Sequence, residues 1–265
     1  MEFIDLDNLN YRLAEIRNDY QSKKPFRYVL FENFFKLEKV ELLHEHYPTT
    51  ETDTWDSVTY LDQRNKFWKN KFDEGSLFDR VMKELNSTDF LNWLQQVTEL
   101  ETPIVADDEL FGGGLHQSIN GAFLNVHVDY NFHPKTKHHR RLNVLVYMNK
   151  DWQDDYEGHL ELWDLADGKK DLLAKYAPTF NRCVIFETNE ISYHGHPKPL
   201  KTPFGVSRKS IATYYYTPTR PANEISNAHN TLYVNTEGAS GQLRKLSNAV
   251  IAAFERLSGR FNKKY

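Results

Sequence analysis

The chain has 265 residues, with 33 Lys plus Arg against 37 Asp plus Glu and a formal net charge of −4. That balance excludes a general electrostatic footprint for nucleic acid or an anionic membrane surface. With 40% hydrophobic and 14% aromatic residues the chain is no disordered segment, and one large domain with extensions is expected. A single cysteine, Cys183, excludes an intrachain disulfide framework and reads as a buried small hydrophobe within Cys183-Val-Ile-Phe186. The start, Met1-Glu-Phe-Ile-Asp-Leu-Asp, lacks the basic and then apolar pattern of a signal peptide. No run approaches the roughly 18 apolar residues of a membrane span, so a cytoplasmic protein is expected.

In chain order, Phe3, Leu6, Leu9, Leu13 and Ile16 recur at helical spacing and predict one amphipathic helix over 2–20. Pro25 follows, then a strand over 26–31 and a helix over 36–47 that Pro48 stops. Residues 49–72 show no period. They hold Trp55, Tyr60, Phe67 and Trp68 and read as an irregular lid. Helices are expected over 75–86 and 88–99, the second capped by Ser87.

From Gly112 the character changes. Short strands are predicted over 115–128, 140–148, 158–164, 181–187 and 208–217, the spacing of a sandwich or barrel. Gly112-Gly-Gly114 lacks the Lys-Ser/Thr of a phosphate loop and reads as a bend before the first of them. Pro218 and Pro221 end the block, and 222–238 reads as loop. Leu243, Leu246, Val250, Phe254, Leu257 and Phe261 then predict a C-terminal helix over 239–261 packed on the domain. The expected organisation is a support region over 1–110, a core over 111–220 and a C-terminal loop and helix over 221–265, integrated in one domain.

Within the predicted strand Phe123-Leu-Asn-Val-His127-Val-Asp129, His127 and Asp129 point to one face. Ser192-Tyr193-His194-Gly195-His196 closes another apolar run, and Arg208 opens Arg208-Lys-Ser-Ile-Ala-Thr-Tyr-Tyr-Tyr216. Two histidines and a carboxylate on one side of a metal leave three positions open, the arrangement of a non-haem Fe(II) oxygenase. A nearby guanidinium suits a co-substrate carboxylate, which it can grip with two parallel hydrogen bonds.

Four stretches carry a family resemblance over residues 24 to 220 or so. They are Lys24 to Phe35, Gly112 to Asp129, Arg140 to Trp152 with Glu157 to Trp163, and His194 to Tyr216. The chain resembles the 2-oxoglutarate-dependent Fe(II) dioxygenases of the prolyl 4-hydroxylase-like branch. The resemblance implies an α+β, mainly β fold: a double-stranded β-helix, or jelly roll, with N-terminal helices packed on it and a C-terminal helix. It also implies Fe(II), 2-oxoglutarate and O2, with ascorbate as a stimulant, and hydroxylation of a C–H bond with release of succinate and CO2. The implied partner is an amino-acid, peptidyl (prolyl included) or other small-molecule substrate, with no nucleic acid and no membrane; the oligomeric state stays open.

By the same resemblance His127, Asp129 and His194 are the metal ligands and, with Arg208, the catalytic set. His196 stays open as the distal ligand, because it alternates with His194 and the proline that follows comes early, at 197. Arg208 is expected on 2-oxoglutarate, joined by Tyr147 and Asn143 from the inward face of strand 140–148 and by Gln117 and Leu124 as pocket walls. In related halogenases a small residue stands at the position of Asp129, so the carboxylate argues for hydroxylation. Trp55, Trp68, Tyr130 and Trp152 are candidate pocket aromatics. Residues 130–141 read as a solvated charged loop, with steering of an anionic substrate as the alternative. Two other readings are a zinc hydrolase, for which nothing marks a general base, and a non-catalytic ligand-binding β-helix protein.

Overall fold

A computed structural model of the chain describes residues 1–50, 53–57, 59 and 61–257. Tyr60 and the 258–261 end of the expected C-terminal helix, Phe261 included, lie outside the described residues, as do the side chains of Leu246, Val250, Phe254 and Leu257.

The N-terminal apolar period folds as two helices, α1 (Leu6–Tyr11) and α2 (Leu13–Ser22), not one. Arg12 breaks them: its backbone leaves helical geometry at φ −95°, ψ 4°, and its guanidinium donates to the Glu32 carbonyl. The apolar stripe survives the break, since Leu9, Ile16 and Tyr20 are all buried. Strand β1 (Tyr28–Glu32) and helix α3 (Leu37–Glu45) follow, then β2 (Asp56–Ser57), β3 (Gln63–Lys69), α4 (Leu77–Leu85) and α5 (Thr88–Thr98). Ser76 and Ser87 cap α4 and α5, accepting from the backbone N–H groups of Asp79 and Phe90.

The β block comprises β4 (Gly114–Val128), β5 (His139–Tyr147), β6 (Leu160–Asp164), β7 (Asp171–Tyr176), β8 (Arg182–Glu187), β9 (Tyr193–His196), β10 (Arg208–Thr217) and β11 (Leu232–Tyr233), before helix α6 (Gly238–Leu257). The strand order is β1-β8-β5-β10-β4-β9-β6-β7, with β3 and β11 also on β4 and β2 on β3. Every strand pair is antiparallel.

The 15-residue β4 belongs to both layers. Its first half pairs with β10 and β3, and its second half with β9 and β11. A register shift between Leu124 and His127 marks the change of partner on the β9 side. One strand shared by two layers curls the sheet into the expected jelly roll.

Alternation then sorts the side chains. Leu115, Leu142, Val144, Val146, Cys183, Ile185 and Ile211 face outward into a core with Phe34, Phe90, Trp93 and Leu94 from the helical region. Tyr147, Leu160, Leu162, Val184 and Phe186 face inward with Phe26 and Tyr28.

Three expectations need correction. Residues 63–69 are a strand on β4, not lid; Arg64, Asn65 and Lys66 hide the period, and Asn65 sits at φ 53° where the register shifts. Strands β7 and β9 were not expected as separate elements. The charged loop begins as expected, with Lys135 in a surface pair with Glu109, but His133, Arg140 and Arg141 are buried and the arginines belong to β5.

Arg244 donates to Asn125 and Lys245 pairs with Asp62, while Leu243 is 68% exposed. Among the described residues no helix is long and apolar enough to cross a membrane.

Candidate metal centre

His127 on β4 and His194 on β9 sit directly opposite each other, and Asp129 lies just beyond the end of β4. One ligand atom from each of the three falls within 4.8 Å of the others. Each imidazole is oriented from behind. His127 Nδ1 lies 2.8 Å from the Asn125 carbonyl and His194 Nδ1 lies 2.9 Å from the Ser192 carbonyl. A carbonyl only accepts, so Nδ1 carries the proton and Nε2 presents its lone pair. The Nε2 atoms stand 3.6 and 3.5 Å from the Asp129 carboxylate oxygens. Burial, with His127 beside it, drives His194 down to about 3, so this ring is neutral at ordinary pH. Two Nε2 atoms and one carboxylate on one side fit a divalent iron with open positions.

The approach of β9 to β4 requires Gly195. A Cβ there would lie 2.8 and 2.9 Å from the Leu124 and Asn125 carbonyl oxygens, backbone atoms that cannot step aside.

Asp129 is held by two further side chains. Asn143 donates through Nδ2 at 2.7 Å, and the Arg140 guanidinium lies 3.0 Å away. Burial alone would raise this carboxyl, but Arg140, His194 and His127 outweigh it and hold it well below the usual range. Arg140 also donates twice to Asn143 Oδ1 and lies against the rings of Tyr214 and Tyr130, at 3.6 and 4.4 Å. Arg140 and Asn143 are three residues apart, yet both face inward, because the pairing of β5 with β10 shifts between Tyr215 and Tyr216. Strict alternation gave no signal for Arg140. Asn143, expected on the co-substrate, has its amide on Asp129 and Arg140.

Arg208 opens β10 on the same concave face. It donates to the Gly158 carbonyl at 2.7 Å and to the Tyr147 hydroxyl at 3.1 Å, and its guanidinium lies 4.9 Å from the Tyr147 ring. The structure thus brings two of the expected co-substrate residues into contact. Gly158, at φ 72°, is needed beside them: a Cβ would meet Leu200 at 2.3 Å and the Arg208 Cδ at 3.1 Å.

Leu124 shares this face, paired with His196. Gln117 does not. Its ten-residue spacing from His127 implies the same face, but the register shift on β4 reverses the parity. Gln117 therefore pairs between Phe67 and Lys209 on the outward side, and its amide donates to Ser207 at 2.8 Å. His196 is buried opposite Leu124, one step from the triad, with both ring nitrogens unpartnered.

The aromatic candidates divide similarly. Tyr130 lies on Arg140, and Trp68 pairs with His116 on the concave row. Trp152 donates to the Glu157 carbonyl beside Gly158. Trp55 stacks on Tyr47 and donates to the Thr49 carbonyl, against the core near the helices.

Comparison with known proteins agrees with this geometry. Residues 113–216 match the 2OG-Fe(II) oxygenase superfamily. The chain is 31% identical over 86 residues to prolyl 3-hydroxylase OGFOD1 of Mus musculus, a stretch that takes in 31% of this chain and 15% of that protein.

Solved structures share the fold. A prolyl 4-hydroxylase from Phytophthora capsici superimposes with a TM-score of 0.59 at 17% identity, over 91% of this chain and 76% of that one. A Pseudomonas putida prolyl-4-hydroxylase gives 0.52 at 18% identity, over 77% and 98%. HygX from Streptomyces hygroscopicus, solved with nickel, 2-oxoglutarate and hygromycin B, gives 0.53 at 14% identity, over 83% and 98%. Residues 113–216 thus match the 2OG-Fe(II) oxygenase superfamily, the chain shares its fold with prolyl 4-hydroxylases, and it spans only a small part of the curated relative's length.

Proposed function

We propose that this protein is an Fe(II)- and 2-oxoglutarate-dependent dioxygenase that hydroxylates a C–H bond of an amino-acid, peptidyl or other small-molecule substrate. One juxtaposition carries the reading: the His127–Asp129–His194 cluster shares a concave face with the Arg208–Tyr147 pair. When bound, Fe(II) with 2-oxoglutarate and O2 supplies the oxidant, and succinate and CO2 leave. His127, Asp129 and His194 would hold the metal, with Arg140 and Asn143 fixing the carboxylate. Arg208 and Tyr147 would bind the far carboxylate of 2-oxoglutarate, the guanidinium already aimed by the Gly158 carbonyl. Leu124 would line that pocket. Asp129 supports hydroxylation over halogenation because it fills the coordination position a halide needs. Residues 111–220 would be the oxygenase core, with 1–110 and 221–265 supporting it.

Succinate release tests this, with purified protein, Fe(II), ascorbate and 2-oxoglutarate. Calorimetric binding of 2-oxoglutarate to the Mn(II)-loaded protein is a second, turnover-independent readout. A zinc hydrolase or a non-catalytic ligand-binding protein would give no succinate. Failure of 2-oxoglutarate to bind in the presence of metal would overturn the proposal.

A further inference from the structure

Three side chains stand in one row across the concave face. Lys66 on β3 and Arg208 on β10 both pair with Ser118 of β4. Opposed residues of antiparallel neighbours project to the same side, and adjacent strands lie about 4.8 Å apart. Two cationic side chains therefore flank Ser118, with Cα atoms about 10 Å apart. The row lies beside the irregularity in β3, where the register shifts between Arg64 and Lys66 and Asn65 takes φ 53°.

The cations on this face differ in what they hold. Arg208 is engaged by the Gly158 carbonyl and the Tyr147 hydroxyl, and Arg140 is paired with Asp129. Among the described residues Lys66 has neither a hydrogen bond nor an ion pair. Burial pushes its ammonium down to about 8, with Asp129 opposing and Arg208 and Arg140 adding to the fall. His196, only 4% exposed on the same face, also has both ring nitrogens unpartnered. A buried polar group left unpaired, as at His196, costs stability unless a ligand completes it, and the half-buried Lys66 ammonium beside it is open to one.

Charge decides what that ligand is. A divalent metal and the 2-oxoglutarate dianion cancel, so Lys66, Arg140 and Arg208 would still face a single carboxylate, Asp129. Both carboxylates of 2-oxoglutarate already have partners in the proposed function, one at the metal and one at Arg208. With Arg208 on the co-substrate and Arg140 on Asp129, Lys66 is the cation left to receive an anion from the other substrate.

We propose that Lys66 anchors a carboxylate of the primary substrate, so that the enzyme takes a small free acid, such as a free amino acid, and not an internal residue of a peptide. His196 is placed to hydrogen-bond the same polar end. This inference rests on the dioxygenase reading and narrows its substrate class.

The test uses the full chain loaded with Mn(II) and 2-oxoglutarate. The twenty L-amino acids and their carboxamides are titrated calorimetrically against it, the amides removing the negative charge at nearly constant shape. At least one free acid should bind about tenfold or more tighter than its amide, the size of a charge-assisted hydrogen bond. Lys66→Met should abolish that preference while leaving the 2-oxoglutarate Kd unchanged, and Lys66→Arg should restore it. Matching thermal unfolding of the variants shows that they fold.

The proposal is overturned if no acid binds better than its amide. It is also overturned if Lys66→Met weakens 2-oxoglutarate itself, which would assign Lys66 to the co-substrate. If the unmodified protein with Mn(II) does not take up 2-oxoglutarate at all, the dioxygenase reading fails first, and this inference with it.

Discussion

His194 and His196 share a face of β9, but only His194 lies across from His127, so only its Nε2 joins the cluster. His194→Ala should abolish Mn(II) or Fe(II) binding, and His196→Ala should keep it; the reverse result in a metal titration would exchange the two assignments. Arg140 holds the Asp129 carboxylate without being a ligand. Arg140→Ala should lower metal affinity about 10- to 100-fold, the usual effect of losing a group that orients a ligand. Asn143→Ala should do so less, because it removes a neutral donor. Unchanged affinity in Arg140→Ala would reduce that arginine to a packing role. Arg208→Ala removes a charge-assisted contact of about 2–3 kcal/mol and should raise the KM for 2-oxoglutarate about 30- to 150-fold, with Tyr147→Phe milder. An unmoved KM in Arg208→Ala would place the co-substrate elsewhere.

At the level of elements, the site depends on how closely β9 approaches β4. Gly195→Ala would put a methyl group under 3 Å from two backbone carbonyl oxygens. Overpacking of that kind costs about 2 kcal/mol, which corresponds to about 4–8 °C in Tm for a chain of this size. Because His194 rides on the displaced strand, metal affinity should fall with the Tm. A variant with both unchanged would show that β9 can relax away from β4. Register shifts explain most of the differences from the expected elements. Alternation predicts facing correctly along an unbroken strand, as for Asn143 and Tyr147. It fails across the shift on β4, which turns Gln117 outward, and across the shift between β5 and β10, which turns Arg140 inward. Strand β3 escaped notice because it presents Lys66 and Arg64 where a half-buried strand normally presents apolar residues.

For the whole molecule, three buried histidines set the response to acid. Burial holds His116, His194 and His196 below the ordinary histidine range. In the unfolded chain each takes up a proton near pH 6.5, and the fold does not, so the unfolded state binds more protons as pH falls. These histidines leave stability unchanged above about pH 7 and lower it below about 6.5, by at most about 1.4 kcal/mol per pH unit for each histidine. Asp129, whose folded pKa is depressed, contributes stability that is present above about pH 3.9 and lost only at lower pH, so it does not offset this loss. Thermal unfolding of the metal-free protein between pH 8 and 5.5 measures this; a Tm that does not fall would show that the rings protonate inside the fold.

What was readable without coordinates was local or periodic. The strands around His127 and Arg208, the helix cap at Ser87, the buried Cys183 run and the His127–Asp129 pair each follow from spacing along one segment. The candidate ligand pattern stood out because its residue types are rare at that spacing, and a family resemblance put His194 forward as the distal histidine. The tertiary structure decided whatever depends on two segments meeting. Strand pairing, not spacing, puts His194 rather than His196 opposite His127, and two register shifts assign Gln117 and Arg140 to their faces. The row that sets Lys66 beside Arg208 joins residues 142 positions apart in sequence through Ser118, and only the closed sheet brings them together. A shift of one residue in register reverses every side chain beyond it, and the sequence carries no separate mark for where such a shift falls.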